Sequence, residues 1–207
     1  MGQDRSETLR LQYLLEAERW AFPVTEWEIA AVSAILLLAT VRVVRLDPAF
    51  LLSLGMIPKQ CHRNAQNYAG RMKRQGVRMI TGWIKQPRVL TLHSVVQLDD
   101  RYFCVTPTAA EPGLEFDFIP DPDVEVTSVS NGFELKRKTF PLGIGLRRFA
   151  RADQPWFSQA AARLRSGMNP DEAFRFTVAP GSDKITTSQR STDRPGDYRY
   201  NWRRHLG

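Results

Sequence analysis

The segment from Val77 to Pro107, VRMITGWIKQPRVLTLHSVVQLDDRYFCVTP, restricts the fold more than any other part of the chain. Its runs VRMITGWIK, RVLTLHSVVQL and RYFCVTP have strand length and are rich in β-branched and aromatic residues. Asp99-Asp100 is a two-residue joint between the last two, which predicts an antiparallel hairpin. Further strand signals follow in LEFDFI, VEVTSV and FELKRKTF, separated by Pro-Asp and Asn-Gly turns.

Helical patterns flank this strand-rich region. Residues 6 to 20, SETLRLQYLLEAERW, place Leu11, Leu14 and Leu15 on one face behind Ser6 as N-cap. A second helix is expected over residues 26 to 45. It takes in the 13-residue uncharged run Ile29 to Val41, shorter than the roughly 20 residues of a membrane span. Arg42 and Arg45 would suit the negative C-terminal end of its dipole. Pro48 opens a turn-rich connection with a short apolar helix at Phe50 to Leu54. From Gln60 to Arg74, QCHRNAQNYAGRMKR puts Cys61, Ala65, Tyr68 and Met72 on one stripe, with Gly76 as the stop. QPWFSQAAARLRSG and a short turn at NPDEAFRF complete the helices. A helix followed by an antiparallel sheet is an α+β arrangement. The expected organisation is an N-terminal helical extension (1–55), an α+β core (56–180) and a basic, aromatic tail (181–207) too poor in apolar residues to build a core.

The net charge of +7 is unevenly spread. Residues 61–100 carry seven Lys/Arg against two Asp/Glu, and residues 151–207 carry ten against six. Such an excess attracts nucleic acid or acidic protein surfaces, and it also simply keeps proteins soluble. In the tail, Tyr198, Tyr200 and Trp202 alternate with Arg199, Arg203 and Arg204, which suits stacking on bases and meeting phosphates, or a strand docking on the domain. The opening MGQDRSETLR has no apolar stretch behind a basic start, and two cysteines make no disulfide framework, so a cytoplasmic location is expected.

Four of the five Cys and His residues lie between positions 61 and 104. A thiol in the first turn of a helix gains from the exposed N–H groups there, and Cys61 has that position. His93, inside a strand, is the long-range candidate for its base, whereas His62 points elsewhere if Cys61 faces the sheet. The bland readings are a small buried thiol and a core histidine. Cys61, His62, His93 and Cys104 would supply a zinc ligand set, yet adjacent helical residues diverge by about 100° and no C-x-x-C pair exists. No metal or cofactor is expected.

The ordered elements Cys61-His62-Arg63-Asn64, Gly82-Trp83, His93-Ser94-Val95 and Cys104-Val105-Thr106-Pro107 resemble the core of papain-like and transglutaminase-like proteins. They are particularly similar to small bacterial proteins with a C-H-x-N, G-W, H-x-V, D-x-T-P pattern. The resemblance covers residues 57 to 107. It implies Cys61 as nucleophile, His93 as base, and an acidic or amide residue that orients the imidazole. This chain departs at that third role, with Cys104 where the pattern has Asp. If Asp99 and Asp100 are the two loop residues, 93 pairs with 106 and Cys104 lies diagonally on the face of His93. Asp117 or Asn64 would then be the remaining orienters, and Gln60 or Asn64 would assist the Cys61 N–H at an oxyanion. Two functions follow as expectations. One is a thiol-dependent hydrolase or acyltransferase acting on an amide or thioester of an unknown protein or peptide substrate. The other is an inactive module of the same fold that binds a protein or nucleic acid through its basic surfaces.

Overall fold

The computed structural model describes residues 2–108, 113–130, 132–143 and 145–175, with side chains from Ser6 onward. Its helices and strands make a mixed α+β protein, in two compact units: residues 22–155, and residues 1–21 with 156–207.

The larger unit is built on a closed barrel. Its five staves are β1 (Val41–Arg45), β2 (Arg78–Lys85), β3 (Val89–Leu98), β4 (Arg101–Cys104) and β5 (Glu115–Pro120), paired in the ring β1-β4-β3-β2-β5 and back to β1. Five strands cannot alternate in direction all the way round a ring, so one neighbouring pair must be parallel. That pair is β1–β4, with Val43 beside Tyr102 and Arg45 beside Cys104, and the other four are antiparallel. Closure removes the exposed edges that an open sheet would leave. The expected antiparallel sheet is therefore corrected at this one seam.

The seam depends on a second correction. The helix expected over residues 26–45 stops early: α2 covers Glu26–Leu36, and Val41–Arg45 is strand. Val41, Val43 and Val44 are β-branched, and pairing on both sides satisfies their backbone, which a helix end would not. Arg42 and Arg45 consequently lie on a stave, on opposite faces, and the boundary drawn at residue 55 falls inside the larger unit.

Gly82 explains how β2 can touch both neighbours. It faces His93 on β3 and Pro120 on β5, and a Cβ there would stand 2.1 Å from the Ile119 carbonyl oxygen. Period-two alternation then divides the side chains. Val43, Val95, Cys104 and Phe118 fill the barrel, with Ile80, Tyr102 and Phe116 partly buried beside them. On the outside, Trp83, Leu92 and Ile119 pack under Ala31, Val32 and Ile35 of α2. Val96 and Val105 pack under Leu51 of α3 (Pro48–Ser53) and Ala65 of α4 (Cys61–Arg71). After α4 a short turn of 3-10 helix, Lys73–Gln75, ends at Gly76 with φ +79°, the left-handed stop expected from the sequence.

Two buried polar clusters secure additions to the barrel. The strand β6 (Val124–Val129), with β7 (Gly132–Arg137) and β8 (Phe140–Pro141), forms a three-stranded sheet, and β9 (Gly145–Arg147) joins the barrel at β3. Asp121 accepts from Trp83 Nε1 and Arg137 Nε, both at 2.8 Å, which ties β7 to the barrel. Glu28 of α2 accepts from the Arg147 guanidinium at 2.7 and 3.1 Å and from its backbone N–H at 2.9 Å. Both residues are almost fully buried, so breaking the pair would leave charge in the interior.

In the smaller unit, Tyr13 and Ala17 of α1 (Gly2–Trp20) pack with Ala160, Ala161 and Leu164 of α5 (Ala150–Arg165) and Ala173 of α6 (Pro170–Ala173). Among the described residues no helix is long and apolar enough to cross a membrane.

Candidate functional site

The four expected residues separate into two pairs on opposite faces of β3. His93 shares the inward face of Val95: its Nε2 lies 3.4 Å from Cys104 Sγ and its ring packs edge-on to Phe116 at 6.1 Å. The expected hairpin register holds, since Leu98 pairs with Arg101 and Gln97 with Tyr102 around a turn with Asp99 at φ +51°. Burial, together with the charges of His62 and Arg45, pushes the His93 pKa down to about 3. Burial also raises the Cys104 thiol pKa, against the weaker pull of its Thr106 contacts and Arg45. The pair inside the barrel is thus a neutral thiol and a neutral imidazole.

Cys61 and His62 stand outside, at the first turn of α4. Contrary to the sequence expectation, His62 turns to the sheet: its Nδ1 is hydrogen-bonded to Ser94 Oγ at 2.8 Å, and Ser94 Oγ to Thr81 Oγ1 at 2.8 Å. Phe133 of β7 packs on the other side of the ring, 5.9 Å away. Cys61 is half-buried, and burial raises its pKa most. The backbone N–H groups of Ser94, His62 and Cys61 pull the other way without reversing the shift, and Cys104 adds to it. The helix end therefore offers the thiolate the expected amides, but desolvation outweighs them.

The expected supporting residues have other tasks. Asn64 is buried and uses its amide on the lead-in to α4, accepting from the Ile57 N–H at 2.9 Å and donating to the Ile57 carbonyl at 2.7 Å. Asp117 lies on the outward face of β5 and pairs with Arg42 at 2.7 Å, away from His93. Gln60 precedes α4 without a side-chain capping bond. Among the described residues no group of three Cys, His, Asp or Glu side chains is placed to hold a metal ion, because the strand divides the four candidates. Tyr198, Arg199, Tyr200, Trp202, Arg203 and Arg204 lie outside the described residues.

Sequence reasoning missed Arg45, Ser94, Thr81 and Phe116. Alternation along β3 was the available signal for Ser94, since neighbours on a strand face opposite ways.

A second feature lies on the outer face beside α4. An apolar groove of about 280 Å³ is lined chiefly by Leu46, Tyr68, Met72, Val96, Leu98 and Phe103. The chain from residue 48 to residue 98 contains eight Lys/Arg and no Asp/Glu. Of these cations, Arg71, Lys73, Arg74 and Arg78 flank lining residues and are exposed. Arg101 stacks over Phe103, its guanidinium 5.1 Å from the ring centre. The nearest carboxylates along the chain are Asp99 and Asp100 in the hairpin turn, and Asp47, whose Oδ1 caps α3 through the Phe50 N–H.

Comparison with protein-family models, curated proteins and solved structures finds no match to the chain.

Proposed function

We propose that this protein is a non-catalytic interaction module that seats an apolar side chain of an acidic peptide segment in the groove beside α4. The observation that carries this reading is the coincidence of an apolar groove with a flanking stretch of chain, residues 48–98, that holds eight Lys/Arg and no Asp/Glu. A bulky apolar side chain in a desolvated groove supplies affinity, and surrounding cations supply orientation and on-rate for an acidic partner. The separation of Cys61 from His93 by a strand, with both groups held in their neutral forms, favours a binding role over thiol chemistry.

Fluorescence anisotropy tests it with two labelled probes of similar charge, a Glu-rich peptide with a central Leu-Phe pair and a short single-stranded oligonucleotide. The peptide is expected to bind, to weaken at least tenfold in Met72→Lys, and to weaken less in Lys73→Glu with Arg74→Glu. Tighter binding of the oligonucleotide, with an affinity falling steeply between about 50 and 200 mM salt and indifferent to Met72, would replace the peptide by nucleic acid as partner.

One observation keeps the papain-like, thiol-dependent reading as the second. Cys61 is partly exposed in a helix first turn, with three backbone N–H groups favouring its thiolate. On that reading the pH profile of Cys61 alkylation has a midpoint below the ordinary thiol range and moves upward in His93→Ala. A midpoint above that range, unmoved by the variant, supports the interaction module.

A further inference from the structure

A second, polar cleft opens between α4 and the β6–β7 hairpin. Arg63, Gln66 and Asn67 stand at positions i, i+3 and i+4 of α4, which places them on one side of the helix. Ser128 and Phe133 are directly opposed in the β6–β7 ladder and so share one face of the hairpin. These five residues, with Ser130 at the turn, line a cleft of about 340 Å³. Gln66 Nε2 donates to Ser128 Oγ at 3.1 Å and joins the two walls, and the His62 ring backs Phe133 at 5.9 Å. Tyr68, which lines the apolar groove, is turned at least about 100° round α4 from Arg63, Gln66 and Asn67, so the two openings are separate.

The lining sets the chemistry of what fits. It holds one cation, two amides, two hydroxyls and one aromatic ring, and no carboxylate, thiol or imidazole. Asn131, next in sequence to the lining residue Ser130 and outside the described residues, is a further uncharged amide. A metal ion would find none of its usual protein ligands except amide oxygens. A wholly apolar group would leave the amides and the guanidinium unmatched, and a lone inorganic anion would use only the Arg63 corner of a volume that suits a small organic molecule. Arg63 presents a planar fork that matches two phosphate oxygens. Asn67 offers a donor and an acceptor side by side, the pairing that reads the edge of adenine. Phe133 supplies an aromatic surface on which a flat base stacks.

We infer that this cleft is a binding site for a nucleoside monophosphate, with the phosphate on Arg63, the base against Phe133 and the base edge at Asn67. Adenine is the base that the Asn67 amide favours, and the Ser128 and Ser130 hydroxyls are left for the sugar. Arg63, Asn67 and Ser130 are exposed, so the cleft admits a ligand from solvent without a rearrangement of the barrel. Affinity then rests on charge, stacking and edge contacts acting together, and a ligand that lacks one of them binds less tightly. The site stands independently of the role given to the apolar groove.

Isothermal titration of the whole chain with adenosine monophosphate, adenosine and inorganic phosphate tests the inference. One-to-one binding of the nucleotide is expected, about tenfold or more tighter than that of adenosine or of phosphate, as for hydrogen bonds to a charged group. Arg63→Met should bring the nucleotide down to the affinity of the nucleoside. Asn67→Ala should remove the preference for adenosine monophosphate over uridine monophosphate while keeping the preference for nucleotide over nucleoside. Both side chains are on the surface, so the thermal midpoint without ligand should stay close to that of wild type, which separates a lost contact from a lost fold. Absence of saturable binding at millimolar nucleotide, or equal affinity for adenosine monophosphate and adenosine, would overturn the site. Nucleotide binding unchanged in Arg63→Met and in Asn67→Ala would overturn it as well. A short adenosine oligoribonucleotide that binds more tightly than the mononucleotide would overturn the assignment of the ligand and make this face an RNA surface.

Discussion

Replacing Gly82 by alanine tests the barrel at its tightest point. The added methyl would stand 2.1 Å from the Ile119 oxygen and 2.9 Å from Pro120 Cα, and both obstacles are backbone. Carbon approaches a carbonyl oxygen to about 3.3 Å in favourable contacts, so β2 and β5 would have to part by roughly 1 Å. That movement falls on a ladder of only three residue pairs, Gly82 with Pro120, Trp83 with Ile119 and Ile84 with Phe118. Overpacking costs about 1–3 kcal/mol and each weakened hydrogen bond about 1 kcal/mol, so the change should cost roughly 3–5 kcal/mol. Against a typical domain stability of about 5–15 kcal/mol this is a large fraction, and the melting midpoint should fall by something on the order of 10 °C. Gly70 of α4 is the control: nothing lies within 4 Å of its Cβ position, so Gly70→Ala should stabilise by about 0.5–1 kcal/mol. Urea denaturation followed by tryptophan fluorescence measures both. If Gly82→Ala stays within about 0.5 kcal/mol of wild type while Gly70→Ala behaves as stated, β2 and β5 do not meet as described and the barrel is open there.

Two further outcomes follow from buried polar groups. Because His93 holds its folded pKa at about 3, below its ordinary 6.5, its neutral form contributes stability that is fully present above pH 6.5. That stability is lost as pH falls from 6.5 toward 3, by up to about 1.4 kcal/mol per pH unit, because only the unfolded chain takes up the proton. Denaturation midpoints at pH 7 and pH 4.5 should show a smaller loss in His93→Gln than in wild type, and equal losses would place His93 in contact with solvent. In Glu28→Gln, Arg147 stays buried but loses the carboxylate it is bonded to, and a destabilisation of about 3–5 kcal/mol is expected by the same denaturation assay. A cost below about 1 kcal/mol would mean that water reaches this pair.

The strands from Val77 to Cys104, the two-residue turn at Asp99-Asp100, the α4 span with its Gly76 stop and the late helix were legible in the sequence. Each is set by local composition, periodicity and turn chemistry, which act over a few neighbouring residues. The diagonal contact of His93 with Cys104 was legible too, because hairpin register follows from loop length. Which way Val41–Arg45 would fold was not, since an apolar β-branched run suits a buried helix or a buried strand until its partners are known. Its partners, β4 and β5, lie some sixty and seventy positions further along the chain. The same distance in sequence hid the barrel: no local pattern states that β5 returns to both β1 and β2, and only that closure gives β3 an inside and an outside. His93 and Ser94 are adjacent in the chain, yet they end in different surroundings because a closed sheet lies between them. The pairing of Cys61 with His93 looked chemically apt from residue types and order alone. Tertiary structure assigned His93 to Cys104 and Phe116 instead, because the face of a strand is set by its pleat, and what that face meets is set by the neighbours that close around it.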